Sequence, residues 1–170
     1  CTPRLTSLWL NAGPPILFGL RAEPFDFRAL VTALLEGCPS LTTLALHDFQ
    51  EQLDDSGIQE LAPLLRNLKD LRLVDCAITP AKSQLLCHAF SDTTVPHLED
   101  LTLDYNPLGR DGLKNLAPIL VGLRRLKLNK CKITDEDCHA LVQIFVDAAS
   151  LEGDNKEGLQ LQILELGYNA

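Results

Sequence analysis

The sequence predicts an α/β solenoid: a parallel sheet of about six short strands on a concave face, with helices returning the chain on the convex side. Three observations carry this. The phrase L-x-x-L-x-L-x-x-N/C-x-L occurs in full three times, as Leu68–Ile78, Leu98–Leu108 and Leu123–Ile133, and in partial form from Leu5, Leu41 and Leu161. The spacing between these starts is 36, 27, 30, 25 and 38 residues, a repeat period of the solenoid kind with insertions in the first and last intervals. Between the phrases, apolar residues recur at helical spacing, as in Phe27, Leu30, Val31 and Leu34. A unit of this size cannot bury its leucine face alone, so neighbouring units must stack, and residues 1–170 read as a single domain.

Repeat one opens at Leu5 and carries Trp9, with Gly13 in the Asn/Cys position; the Pro- and Gly-rich stretch 11–24 reads as a loop. Gly37 and Pro39 close the first helix. Repeat two, from Leu41, has Phe49 in the Asn/Cys position and a helix face of Ile58, Leu61, Ala62 and Leu65. Pro63 lies inside that helix and Pro118 inside a later one, so both are expected to be short, kinked or split. In repeat three, Thr79-Pro80 is a cap followed by proline at the first helical position, with Ser83, Leu86, Cys87 and Phe90 facing inward. Repeat four places Leu113, Leu116, Ala117 and Leu120 inward. Repeat five starts its helix with the capping-box pair Thr134 and Asp137 and continues with Cys138, Leu141, Val142 and Phe145. The polar stretch at 149–160 is expected to be a surface loop before the sixth strand. The start at Cys1, without Met, and the stop at Ala170 after a strand signature read as an excerpt of a longer chain. Uncapped ends would then favour self-association.

A second period overlies the first. Cys76-x-Ile-Thr and Cys131-x-Ile-Thr alternate with Asn106-Pro-Leu-Gly-Arg-Asp-Gly112, to which Leu53-Asp-Asp-Ser-Gly57 and Asn169 are similar. This alternation resembles the ribonuclease-inhibitor class of leucine-rich repeats, whose kin include Ran GTPase-activating proteins, the repeat domains of NOD-like receptors, tropomodulin and ciliary proteins. The resemblance implies a leucine-rich repeat horseshoe serving as a non-enzymatic scaffold for a protein partner. A GTPase-activating or other enzyme-regulating solenoid, and an architectural part of a cytoskeletal or ciliary assembly, are the alternatives it implies.

Composition and motif chemistry narrow the function further. With 15 basic and 23 acidic residues the net charge is −8, which argues against a nucleic-acid binder and favours a cationic partner. No run of about 18 apolar residues marks a membrane span. Four of the six cysteines fall on inward positions (Cys76, Cys131) or apolar helix faces (Cys87, Cys138), which suits reduced thiols and predicts a cytoplasmic, or at least intracellular, setting. His88 and His139 sit one position beyond buried cysteines and should point outward, which disfavours both a metal site and a Cys-His nucleophile. Asp54-Asp55 and Asp135–Asp137 precede helices and read as caps. No phosphate loop or nucleophile elbow is present, and no cofactor is expected.

Binding residues must therefore lie between the leucines, on the strand positions that face away from the core. Counting the first leucine as position 1, position 3 reads Ser7, Thr43, Asp70, Asp100, Arg125, Ile163, and position 5 reads Trp9, Ala45, Arg72, Thr102, Lys127, Glu165. Trp9 is either a binding anchor or a cover for neighbouring chain. Repeats four and five set Glu99, Asp100 and Asp104 beside Arg124, Arg125 and Lys127, with Arg72 and Tyr105 at the border. That bipolar patch is the expected partner site, with the 149–160 loop as the alternative; Asp100 and Arg125 are close enough to pair, with further charges left over for a partner.

Overall fold

The computed structural model describes residues 4–12, 26–91, 98–120, 122–150 and 160–169. Cys1, Gly13 and most of the two stretches expected to be loops, 11–24 and 149–160, lie outside the described residues. Among the described residues six strands and five helices alternate strictly: β1 (Ser7–Asn11), α1 (Phe27–Gly37), β2 (Thr43–His47), α2 (Asp55–Leu65), β3 (Asp70–Val74), α3 (Pro80–Ser91), β4 (Asp100–Thr102), α4 (Gly109–Leu120), β5 (Arg125–Lys127), α5 (Asp135–Ser150) and β6 (Ile163–Glu165). All strands are parallel and lie in chain order in one open sheet. Successive helices pack on one another in the same order. Packed helices need roughly 8–10 Å each where strands need about 4.8 Å, so the strand side is the concave one.

Register follows the signature position for position. Ser7, Thr43, Asp70, Asp100, Arg125 and Ile163 form one cross-strand row, and Trp9, Ala45, Arg72, Thr102, Lys127 and Glu165 form another. The signature leucines of repeats two to five are the core: Leu44, Leu46, Leu71, Leu73, Leu101, Leu103, Leu126 and Leu128 are at most 1% exposed. Burying each contributes on the order of 1.5–3 kcal/mol against conformational entropy.

The Asn/Cys position explains the second period. Asn106 is fully buried; its Oδ1 accepts the backbone N–H groups of Cys76 (3.0 Å) and Ile78 (2.9 Å), and its Nδ2 donates to the carbonyls of Leu73 (2.7 Å) and Leu103 (2.9 Å). Asn169 repeats this with Cys131, Ile133, Leu128 and Leu166. Each cysteine reaches back one further repeat, Cys76 Sγ to the Leu46 carbonyl and Cys131 Sγ to that of Leu103. An Asn repeat thus laces to the Cys repeat before it. Phe49, which cannot do this, is buried and packs its ring at 6.0 Å from Phe27.

Helix starts are as the sequence predicts. Asp54 accepts from Gly57 N at 2.8 Å, Thr79 Oγ1 from Lys82 N, and Thr134 and Asp137 exchange reciprocal bonds at 3.0 and 3.3 Å. Two expectations change. Pro63 and Pro118 do not split their helices; each lies two residues before the helix end with its ring exposed. The carbonyls left without a donor, those of Gln59 and Lys114, fall on exposed positions where water can serve them. Val142, expected in the core, is 58% exposed, because among the described elements α5 packs on α4 alone.

Candidate partner-binding face

The face opposite the helices is built from strand positions 3, 5 and 7, and its centre is one hollow of about 460 Å³. Trp9, Arg72, Asp100, Asp104, Arg125 and Lys127 line it together with His47, Asp70, Val74 and Thr102. Of the sequence-predicted site residues, six therefore meet in one place. Glu99 and Arg124 do not line it. They sit one position before the strands, where Glu99 lies between Lys69 (3.7 Å) and Arg124 (3.5 Å). Tyr105 lies past the end of β4 in the turn that follows.

Trp9 is 59% exposed, and the Arg72 guanidinium lies over its ring at 4.7 Å. The two strands bearing them are separated by β2, whose residue in that row is Ala45, with no side chain long enough to intervene. Arg72 is fixed from its other side by Asp70, two residues earlier on the same strand face. Nε donates to Oδ1 at 3.0 Å and Nη2 to Oδ2 at 2.7 Å, a bidentate pair that raises the Arg72 pKa further. Asp70 was absent from the sequence-predicted set, although its i,i+2 spacing from Arg72 on a strand was the available signal.

The bipolar patch is matched internally. Arg125 meets Asp100 at 3.6 Å, and Lys127 meets Glu165 at 2.9 Å, which lowers the Glu165 pKa. Asn129 donates to Glu165, accepts from Gly167 N at 2.6 Å, and gives its own N–H to Asp104. The cations expected to be in surplus each have a partner from this chain, and most of these exposed pairs are worth ~0–1 kcal/mol.

No group of three or more His, Cys, Asp and Glu side chains among the described residues could hold a metal. No helix of the described residues is long and apolar enough to cross a membrane. His88 and His139 are exposed or half-exposed, as their phase predicts.

A profile described as Leucine Rich repeat matches residues 96–117 and 123–142. The chain is 30% identical over 123 residues to a ribonuclease inhibitor of Sus scrofa, covering 68% of this chain and 26% of that protein. It is 32% identical over 95 residues to a ribonuclease inhibitor of Mus musculus, covering 54% and 20%. Over 78 residues it is 41% identical to NACHT, LRR and PYD domains-containing protein 5 of Mus musculus, covering 44% and 6%. It thus spans about a quarter or less of the length of these relatives. With its alternating Asn and Cys repeats and its single parallel sheet, the chain is a leucine-rich repeat protein of the ribonuclease-inhibitor-like class.

Proposed function

We propose that this chain is a non-enzymatic protein-binding module that holds a cationic protein partner on its strand face, with Trp9 as the anchor. The observation that carries the reading is the exposed indole held by a guanidinium that is itself clamped by Asp70. Exposed aromatic and arginine side chains in preset positions lose little conformational freedom on binding, and residues of these types dominate protein interfaces energetically. The hollow beside them is lined by three aspartates and three cations, which suits polar recognition by a protein surface more than burial of an apolar small molecule. The relatives' names point the same way, since an inhibitor of a ribonuclease must bind a protein.

The test is titration with basic proteins, beginning with a ribonuclease, at low and physiological salt, against an acidic protein of similar size. Trp9→Ala and Asp70→Asn are expected to weaken binding about tenfold or more while leaving the circular dichroism unchanged. If affinity is insensitive to both substitutions, or acidic proteins bind as well as basic ones, the strand-face reading fails.

A further inference from the structure

The turn after each of the strands β2 to β6 places one residue in the left-handed region at the same signature position, number 8: Asp48 (φ 61°), Asp75 (51°), Tyr105 (63°), Lys130 (55°) and Tyr168 (56°). Backbone bonds lace these turns into a row. Asp48 N donates to the Val74 carbonyl, Asp75 N to Asp104, Tyr105 N to Asn129 and Lys130 N to Gly167. The row is thus a rim along one edge of the sheet. Its residues step from repeat to repeat as the strands do.

Two properties of the rim point to a ligand. The first is charge left over. Asp70, Asp100, Glu99 and Glu165 on this side of the sheet are all in ion pairs. Asp48, Asp75 and Asp104 form none among the described residues. Asp75 accepts only the Gln50 amide (2.7 Å), and Asp104 Oδ1 only the Asn129 N–H (2.8 Å). The second is an aromatic beside that charge. Tyr105 is 50% exposed, and Lys130 lies over its ring at 4.6 Å from the following repeat. On the preceding side its neighbour in the row is Asp75, which has no ion-pair partner among the described residues.

We propose that the Asp48–Asp75–Tyr105 stretch of the rim binds an extended basic segment of a partner protein, with an arginine seated on Tyr105 and bonded to Asp75. It rests on the protein-binding reading but not on the hollow. The chain supplies the template itself: Arg72 stacks on Trp9 while giving two N–H groups to Asp70. A planar guanidinium can do both at once, which an ammonium cannot, so arginine is preferred over lysine. Two repeat steps of about 4.8 Å are roughly three residues of extended chain at 3.3 Å, so cations about three residues apart would meet both Asp48 and the Asp75–Tyr105 pair.

The probes are blocked octa-arginine, octa-lysine and octa-glutamate peptides, titrated calorimetrically into the chain at about 0.15 M salt, where diffuse attraction is screened beyond about 8 Å. Octa-arginine is expected to bind more tightly than octa-lysine, and octa-glutamate not at all. Asp75→Asn and Tyr105→Leu should each weaken octa-arginine about fivefold, the size of one cation–aromatic or charged contact. Asp75→Asn suits the left-handed turn and keeps an oxygen for the Gln50 amide, so the fold should stand, which an unchanged urea midpoint checks. Asp147→Asn removes the same charge from the exposed side of α5 and should change affinity less than about twofold. Equal losses in Asp75→Asn and Asp147→Asn would mean diffuse attraction and overturn the proposal, as would no binding of octa-arginine. Loss in Trp9→Leu with none in Tyr105→Leu would put the peptide in the hollow, overturning the rim site while supporting the strand-face reading.

Discussion

Replacing Asn106 by alanine is the sharpest test of what holds this solenoid together. The side chain is 0% exposed and bonds two N–H groups and two carbonyls from two adjacent repeats, with a longer contact of 3.2 Å to the Asp104 carbonyl. Truncation takes a bond from four backbone groups, leaving the Leu103 carbonyl only the Cys131 thiol, at a net cost of about 1 kcal/mol each, so about 4 kcal/mol in all. That is a large part of the 5–15 kcal/mol typical of a folded domain, and it corresponds to a fall in Tm of about 8–16 °C for a chain this size. Asn169 is the internal control. It makes the equivalent four bonds but is only half-buried, so water can replace part of what alanine removes, and its cost should be about 1–2 kcal/mol. Asn106→Asp separates bonding from volume, because it keeps the size but turns a carboxylate oxygen toward the Leu73 and Leu103 carbonyls; it should be no milder than alanine. Urea unfolding followed by both far-UV dichroism and Trp9 fluorescence measures all three. A cost for Asn106→Ala below about 1 kcal/mol, or no greater than for Asn169→Ala, would refute the lacing argument.

Four further outcomes follow from local geometry. A Cβ at Gly57 would collide with the Gln52 carbonyl oxygen, so Gly57→Ala, which in an open helix gains about 1 kcal/mol, should instead cost about 1–3 kcal/mol in urea midpoint experiments. Burial pushes the Cys76 and Cys131 thiols up to about 12, so the folded state keeps protons that the unfolded state releases near pH 8.5. Stability should therefore be intact below that pH and fall as pH rises from about 8.5 to 12, by up to about 1.4 kcal/mol per unit for each thiol, and alanine at either position should flatten the slope. The same two thiols, with Cys87, should resist a thiol reagent until the chain unfolds, and fast native labelling would contradict their burial. Arg72→Leu should change the Trp9 emission without moving the global unfolding midpoint by more than about 1 kcal/mol, since the stack is an exposed one.

The leucine frame was readable because position alone settles it: a strand alternates with period 2, so Leu44 and Leu46 must face the side opposite to Thr43 and Ala45. Caps were readable for a similar reason, since Asp54, Thr79 and Thr134 act within three residues of themselves. Pro63 and Pro118 were harder. Their effect depends on whether the carbonyl four residues earlier can reach water, and a helix that ends two residues later leaves it free to do so. Val142 shows the same limit at the scale of an element. Its phase on α5 is as good as that of Leu141, but a face is buried only where a neighbouring helix covers it.

The candidate site divides along the same line. The residues that line the hollow could be placed from the signature, but how their charges are spent could not, because every ion pair except Asp70–Arg72 is settled between repeats, by residues 25 to 38 apart in the chain. Arg125 and Lys127 look like surplus cations in one repeat and are matched once Asp100 and Glu165 stand beside them. The carboxylates of Asp48, Asp75 and Asp104 look no different in sequence, yet the residues set beside them leave them without ion pairs among the described residues. Two of these three, with Tyr105 and Lys130, sit where strand alternation ends and the sign of φ takes over, so no period-2 argument could assign them a direction. The sequence signal that does exist is positional: the residue directly before the inward Asn or Cys is left-handed in repeats three to six, as Asp75, Tyr105, Lys130 and Tyr168. An aspartate there suits the conformation, since its short polar side chain tolerates the left-handed region; a tyrosine does not, and two occur. Lys130 lies over both rings, so within the chain these exposed tyrosines contribute at most a weak cation–aromatic contact, and the peptide titrations above test whether Tyr105 also serves a partner.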